Sequence, residues 1–253
     1  MSEADRELAR RAIPLLDLTD LADDTSPDDI DVLCERAVRY GTAAVCIWPD
    51  FVRQCAAALR GTGVRVATVV NFPSGEERPH AVRVLAERAL EDGTDEVDVV
   101  LPYRAWSTGD ERRAAEVIEG VRDAAAAAPM KVILETGALP DEVAVERAAR
   151  FAIDHGADFV KTSTGKIAVS ATPEAAGSVL RVIAAADRPV GVKPSGGIRT
   201  TADAARYLDL ADEIMGPGWV SPATFRFGAS GVLDALVAAV DGRLLEPADS
   251  PSY

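Results

Sequence analysis

The residues best suited to chemistry in this chain are a few lysines at the ends of short apolar runs. Only four of the 27 basic residues are lysine, namely Lys131, Lys161, Lys166 and Lys193, and three of these fall between positions 161 and 193. A lysine amine can lose its proton and attack a carbonyl, whereas an arginine guanidinium cannot. The scarcity of lysine therefore makes this segment the first place to look for a nucleophilic amine.

Alternation along the apolar runs indicates which way the polar side chains point. In the run 96–100 the valines at 97 and 99 suit an outer, helix-facing surface, which predicts that Asp98 points inward. The same parity turns Lys161 and Lys193 inward from two later runs. Two neighbouring ammonium groups disfavour each other's charged form, so one of the two should have a pKa well below about 10.4 and serve as a nucleophile.

Buried lysines also have a purely structural interpretation, which the sequence leaves open. In that alternative, acidic residues neutralise the interior lysines in a buried ion network without taking part in chemistry. The acidic residues concerned are Asp17, Asp98 and Glu135, and the lysines are Lys131, Lys161 and Lys193.

Metal and hydroxyl chemistries have little support. The chain has only two histidines, His80 near the predicted start of a helix and His155 at the end of one, so we expect neither a zinc site nor a Ser-His-Asp triad. Cys46 lies in a predicted strand between apolar residues and is interpreted as a core residue. The three cysteines lack a Cys-x-x-Cys pair, and we predict no metal and no cofactor.

Glycines follow the last three predicted strands and indicate an anion pocket. They occur at 165–166, 196–199 and 228–230, the last just before an apolar helix. Backbone N–H groups and a helix dipole converge on phosphate in such loops of a (β/α)₈ barrel. A nucleotide P-loop is excluded at Lys166, because Val160 and Ile167 occupy positions where that motif needs Gly and Ser or Thr.

The elements that position these residues form a repeated βα pattern. Eight short β-branched runs alternate with Ala-rich amphipathic stretches, which predicts an α/β fold with a single (β/α)₈ TIM barrel. A doubly wound open sheet is the alternative, but its Gly-x-Gly-x-x-Gly turn is missing. We predict one domain over 1–253, with an extra N-terminal helix at 1–12, the barrel at 13–241 and a short polar C-terminal tail at 242–253. The predicted strands are 13–19, 43–49, 65–72, 96–102, 131–137, 159–164, 189–194 and 224–228.

Composition restricts the class of protein. A net charge of −14 argues against binding to nucleic acid or to an anionic membrane, both of which need a basic surface. Residues 1–11 are too charged for a signal peptide, and no apolar run approaches the roughly 18 residues of a membrane span. We therefore predict a cytoplasmic protein.

Five segments resemble the deoxyribose-phosphate aldolases, and the resemblance extends in order from about residue 15 to residue 230. The segments are Glu96–Ala105, Lys131–Gly137, Ala157–Lys166, Gly191–Arg199 and Phe227–Ser230. The resemblance implies a class I aldolase that needs no cofactor. Its reaction is the reversible cleavage of 2-deoxy-D-ribose 5-phosphate to D-glyceraldehyde 3-phosphate and acetaldehyde through a lysine Schiff base, in deoxyribonucleotide catabolism.

The resemblance also implies roles for individual residues. Lys161 matches the Schiff-base lysine, Lys193 the lysine that activates it, and Asp98 the carboxylate that relays protons through water. Tyr253 matches a terminal tyrosine that moves protons in some members, although a disordered tail explains it equally well. The residues that match the substrate-binding and phosphate-loop positions are Asp17, Thr19, Gly165, Lys166, Gly196, Gly197, Arg199, Gly228 and Ser230.

Two departures and two alternatives remain. Gly231 stands where close relatives have a second serine, and Ser195 replaces a common alanine, which affects expected substrate affinity rather than reaction type. The alternatives are another TIM-barrel sugar-phosphate aldolase or isomerase, and a non-catalytic barrel that binds a phosphosugar. The predicted partners are the phosphorylated sugar and acetaldehyde, with no nucleic acid and no membrane; a homodimer is the candidate assembly.

Overall fold

The structure is a computed structural model that describes residues 2–243 of the chain. Eight strands in that range form one sheet in which every pairing is parallel, in the order β7-β6-β5-β4-β3-β2-β1-β8. The strands are β1 (Leu16–Asp20), β2 (Ala44–Ile47), β3 (Arg65–Val70), β4 (Glu96–Val100), β5 (Met130–Ile133), β6 (Phe159–Lys161), β7 (Gly191–Lys193) and β8 (Phe227–Ala229).

Two further contacts join the ends of this sheet. Isolated parallel bridges pair Val192 with Phe225 and Ser195 with Gly228, so the chain around β7 meets the chain around β8. The eight strands thus enclose a nearly closed barrel, which confirms the (β/α)₈ prediction. All eight predicted strands are present.

Helices cover the outside of the barrel. They are α1 (Glu3–Ala12), α2 (Pro27–Tyr40), α3 (Val52–Ala58), α4 (Pro79–Glu91), α5 (Tyr103–Ser107), α6 (Glu111–Ala125), α7 (Glu142–Asp154), α8 (Pro173–Ala184), α9 (Thr201–Met215) and α10 (Val232–Asp241). The additional helix α1 confirms the predicted N-terminal helix, and it packs against α10. His80 lies in the first turn of α4 and His155 directly follows α7, as predicted.

Local sequence explains where the helices begin. Ser26 caps α2 in a reciprocal capping box with Asp29, and Pro27 occupies the first turn, where its missing N–H costs nothing. Thr172 caps α8 and Asp141 caps α7 through their side-chain oxygens. These caps satisfy backbone N–H groups that have no partner inside the helix.

On strand β4, apolar residues face outward and charged residues face inward. Val97 and Val99 on β4 are fully buried against the helical layer, while Asp98 between them points into the barrel. The interior of this barrel therefore holds charged side chains, which must be paired to be stable there.

Several strands are shorter than predicted, for local reasons. Residues Ile13–Leu15 form a 3₁₀ turn that begins with Pro14 near its first position, so β1 starts only at Leu16. Strand β5 ends at Ile133 because Glu135 adopts a left-handed backbone conformation, with φ 56° and ψ 59°.

The last helix, α10, ends at Asp241, and the next residue, Gly242, has a left-handed backbone conformation with φ 73°. Most of the predicted tail, including Tyr253, lies outside the described residues, and the division into 1–12, 13–241 and 242–253 stays a prediction.

Two observations concern the predicted location. No helix among residues 2–243 is both long enough and apolar enough to cross a membrane. The cysteines Cys34, Cys46 and Cys55 are buried free thiols. The cytoplasmic location itself stays a prediction.

Barrel packing generates a first prediction, at Gly191 on β7. A Cβ there would lie 2.3 Å from the ring of Phe159, so Gly191→Ala should destabilise the fold by about 1–3 kcal/mol through overpacking. In the control Gly120→Ala, on helix α6, the added Cβ meets only ordinary contacts, and stability should stay within about 1 kcal/mol of wild type or rise. Urea unfolding of both variants measures this, and equal stabilities would contradict the packing argument.

Candidate active site

Polar side chains from five strands, and from the residue just before β8, meet inside the barrel and toward its carboxyl end. Lys161 is the last residue of β6 and Lys193 the last of β7, and the two are direct partners in the strand register. Asp98 on β4 is in register with Lys131 on β5. The inward orientation that parity predicted for Asp98, Lys161 and Lys193 is confirmed, and the exposed fractions of these residues are 0%, 3% and 0%.

Asp98 is the common acceptor of this group. Its Oδ1 accepts a hydrogen bond from Lys131 Nζ at 2.8 Å, and its Oδ2 accepts from Lys161 Nζ at 3.0 Å and from Lys193 Nζ at 2.8 Å. Burial alone would raise the pKa of Asp98, but the three ammonium charges outweigh it and hold that pKa well below its usual range. Asp98 is therefore a carboxylate at neutral pH.

Lys193 is paired from two sides. Besides Asp98, its Nζ lies 2.6 Å from Asp17 Oδ2. Burial would lower the pKa of Lys193, but Asp17 and Asp98 reverse this and raise it well above its usual value, so Lys193 stays charged. Two neighbouring lysines without a carboxylate would lower the pKa of one of them. Here Asp98 accepts from both Lys161 and Lys193, and with Asp17 it raises the pKa of Lys193.

A buried arginine that sequence reasoning missed completes the base of the site. Arg226, which directly precedes β8, donates hydrogen bonds to Asp17 Oδ1 at 2.6 Å and to Glu96 Oε1 at 3.0 Å. Glu96 Oε2 in turn lies 2.6 Å from Lys131 Nζ. Burial opposes the charge of Arg226, but Asp17 and Glu96 raise its pKa further. A cavity at the amino end of the barrel is lined by Glu96 and Arg226, so on that side the interior ends in an ion pair.

These seven side chains form one buried group, which we call the ionic cluster. Its members are Asp17, Glu96, Asp98, Lys131, Lys161, Lys193 and Arg226. Arg65 reaches Glu96 at 3.4 Å from the rim, but its side chain is 52% exposed and thus hydrated. Four cations face three carboxylates within the cluster, so it is neutral when one cation gives up its proton. Lys161 has one carboxylate contact, shared with two other lysines, and is the least compensated of the four.

Glycine loops lie beside the carboxyl end of the barrel. Gly165 follows β6 with φ 82°, and Gly196 and Gly197 follow β7 with φ 83° and 78°, conformations that favour glycine. Helix α10 begins after Ser230 and Gly231 without a side-chain cap, which leaves its first N–H groups available to an anion. The loops after β6, β7 and β8 thus have the backbone expected of a phosphate site.

The two candidate phosphate cations differ in position. Lys166 Nζ lies 3.4 Å from Asp23 and 5.9 Å from the centroid of the Trp48 ring, so its side chain crosses the mouth of the barrel toward the loops after β1 and β2. Arg199 is exposed just before α9, and its backbone N donates to Asp203 at 3.1 Å.

Three residues that were predicted to contact the substrate, Asp17, Thr19 and Gly228, lie in the ionic cluster or directly beside it. Asp17 binds Lys193 as described, and Thr19 is buried with its hydroxyl donating to the Asp17 carbonyl at 2.8 Å. A Cβ on Gly228 would lie 2.2 Å from Ser195 Oγ and 3.0 Å from Lys193 Cε, so glycine there makes room for the lysine. Ser195 Oγ lies in this space, and Ser195 N donates a hydrogen bond to Thr162 Oγ1 at 3.0 Å.

Metal coordination finds no support within residues 2–243. No group of three or more His, Cys, Asp or Glu side chains in that range is arranged to hold a metal ion. The oxygen atoms of Asp17, Glu96 and Asp98 are instead directed at ammonium and guanidinium groups. The arrangement suits amine chemistry in a site with fixed charges.

Known proteins have sequences similar to this chain. A family model described as DeoC/LacD family aldolase matches residues 11–232. The deoxyribose-phosphate aldolase of Agrobacterium fabrum (strain C58) is 51% identical over 251 residues, which cover 98% of this chain and 96% of that relative.

Solved structures agree with these sequence matches. The apo form of a candidate deoxyribose-phosphate aldolase from Toxoplasma gondii has a TM-score of 0.88 at 25% identity, covering 95% of this chain and 99% of that chain. The tetrameric deoxyribose phosphate aldolase from Aeropyrum pernix has a TM-score of 0.74 at 25% identity, covering 94% of this chain and 92% of that chain.

The ionic cluster generates a second prediction, on stability. Lys131→Met removes the ammonium that donates to Asp98 Oδ1 and pairs with Glu96 Oε2, which leaves buried carboxylate oxygens without that partner and should cost about 3–5 kcal/mol in the free energy of unfolding at pH 7. The matched control is Arg83→Met, which breaks an exposed pair with Glu87 at 2.8 Å and should cost no more than about 1 kcal/mol. Similar losses in the two variants on urea unfolding would show that the interior charges are not coupled as described.

Proposed function

The chain belongs to the DeoC/LacD family of aldolases, and from this premise we propose that it reversibly cleaves 2-deoxy-D-ribose 5-phosphate to D-glyceraldehyde 3-phosphate and acetaldehyde. The observation that carries the proposal is the position of Lys161. Its amine lies at the carboxyl end of β6, against the carboxylate of Asp98 and beside a charged Lys193. Glycine loops suited to a phosphate follow β6 and β7.

The reaction begins with addition of the neutral Lys161 amine to the aldehyde carbon of the open-chain sugar. Loss of water gives an iminium ion, which can accept an electron pair. Lys193 supports this step, because a fixed positive charge beside Lys161 disfavours the protonated form of the nucleophile. Deprotonation of Lys161 also makes the ionic cluster neutral.

Cleavage of the bond between C2 and C3 follows. Asp98, as a carboxylate, accepts the C3 hydroxyl proton through a water molecule while the electron pair of the bond moves into the iminium to form an enamine. D-Glyceraldehyde 3-phosphate leaves. Protonation of the enamine at C2 and hydrolysis of the resulting iminium release acetaldehyde and restore the amine. Tyr253 is proposed from the family resemblance as a proton carrier; it lies outside the described residues.

Binding of the phosphate is assigned to groups away from the reacting carbons. We assign it to the loops at Gly165–Lys166 and 196–197 and to the N–H groups at the start of α10. Such contacts hold the sugar in register and contribute binding energy to the chemical step. Gly231, which replaces a serine of close relatives, retains its backbone N–H but offers no hydroxyl.

The setting of the reaction follows from the substrate. We propose a role in deoxyribonucleotide catabolism in the cytoplasm, without a cofactor. Family membership favours this aldolase reaction over an isomerase and over a barrel that only binds a phosphosugar.

The nucleophile is tested by a coupled assay for glyceraldehyde 3-phosphate released from 2-deoxyribose 5-phosphate. The wild-type protein should release it, and Lys161→Arg should lower kcat by at least about a thousandfold, because guanidinium keeps the charge but cannot form an imine. Circular dichroism controls for the fold. Activity of the variant within tenfold of wild type would contradict the assignment.

The electrostatic role of Lys193 is tested by the pH dependence of kcat/KM. Lys193→Leu removes the positive neighbour of Lys161, so activity at pH 7 should collapse and part of it should return as pH rises and Lys161 loses its proton unaided. Lys193→Arg is the control, because it retains the charge and should keep more of the activity at pH 7. A Lys193→Leu variant with the wild-type profile would show that Lys193 is only a structural ion-pair partner.

A further inference from the structure

We propose that Glu135 is the positioning residue of the loop 165–171, and that through this loop it sets the preference of the enzyme for a phosphorylated over an unphosphorylated sugar. The inference rests on the proposed function, because it assigns phosphate binding to that loop. It adds a residue outside the ionic cluster, in the connection that follows β5.

Glu135 has an unusual backbone. Its φ of 56° and ψ of 59° place it in the left-handed region, which carries a steric penalty for a residue with a Cβ. It is also fully buried, with 0% of its surface exposed. A strained and buried acidic residue persists only where its surroundings hold it, and such residues concentrate at functional sites.

The contacts of Glu135 lead to the loop after β6. Its Oε1 accepts a hydrogen bond from Thr164 N at 3.3 Å, and its Oε2 accepts from the hydroxyl of Thr164. The same hydroxyl oxygen accepts from Lys166 N at 3.0 Å. A continuous chain of hydrogen bonds therefore runs from the strained residue to both sides of Gly165.

Close backbone packing holds the remainder of the loop. A Cβ on Gly137, two residues after Glu135, would lie 2.0 Å from the Val169 carbonyl oxygen. A Cβ on Gly196 would lie 2.6 Å from the Cβ of Ser170. The loop is thus confined between the connections that follow β5 and β7, and the Glu135 carboxylate fixes its first residues.

Glu135 lies outside the ionic cluster, and the direct carboxylate partner of Lys161 is Asp98. The Glu135 carboxylate forms no salt bridge within 4.0 Å among residues 2–243, and both oxygens are engaged by Thr164. Burial raises the pKa of Glu135, and the hydrogen bonds from Thr164, together with a smaller effect of the Lys161 charge, counteract it.

Loss of the Glu135 carboxylate should therefore affect the phosphate more than the chemistry. Lys161 is held by Asp98, independently of Thr164. Gly165 and Lys166, in contrast, depend on the Glu135–Thr164 link for their position. A sugar without a phosphate does not use that part of the site and should respond less to its loss.

The experiment compares kcat/KM for 2-deoxyribose 5-phosphate and for 2-deoxyribose in three variants. Glu135→Gly removes the carboxylate but tolerates the left-handed backbone. Thr164→Val removes the hydroxyl at the other end of the link, while Thr164→Ser retains it. For the first two variants the phosphorylated sugar should lose about tenfold to a hundredfold more than the unphosphorylated one, as expected for a misplaced binding group. Thr164→Ser should retain the wild-type ratio.

The two residues should also act as a unit. The double variant should lose little more selectivity than either single variant, because each change breaks the same link. Equal losses on the two sugars, or an unchanged ratio in folded variants, would overturn the role of Glu135. Absence of wild-type activity on the phosphorylated sugar would instead contradict the proposed function, so the two failures are distinguishable.

Discussion

Seven ionisable side chains share the interior of a barrel whose strands pack apolar residues against the helices, and buried charges are tolerated only when they are paired. Asp98 satisfies this requirement for three lysines at once, while Arg226 ties Asp17 to Glu96 at the base. Pairing of this kind restricts each strand that carries a cluster residue to one register, because a shift by one residue would turn its charge toward the apolar helices. The same interactions thus specify the fold and position the chemical groups.

The lysines of the ionic cluster differ in their number of carboxylate partners. Lys131 and Lys193 each contact at least two carboxylates, whereas Lys161 contacts one. Lys131 contacts Asp98 and Glu96, and Lys193 contacts Asp17 and Asp98, so both remain charged; the pKa of each is raised despite burial. Lys161 has only a shared contact and lies where the strand ends and the substrate loops begin.

Sequence reasoning succeeded where the deciding property is local. A period of two along a strand predicts that Asp98, Lys161 and Lys193 face inward, and caps such as Ser26 predict where helices begin. The same parity could have found Arg226 and Glu96, two residues before Gly228 and Asp98 on the same face. The charge state of Lys193 depends on Asp17, which is distant in sequence. The left-handed backbone of Glu135 could not be foreseen, since non-glycine residues rarely adopt it.

We propose that Lys161 is the one interior amine that reacts with an aldehyde. Reductive trapping measures this directly. The protein is incubated with acetaldehyde and a mild borohydride, digested and mapped by tandem mass spectrometry, with Lys161→Arg as the control. The account predicts an adduct of about 28 Da on Lys161 and none on Lys131 or Lys193, whose charges are held by carboxylates. An adduct on Lys193 with Lys161 unmodified would contradict it.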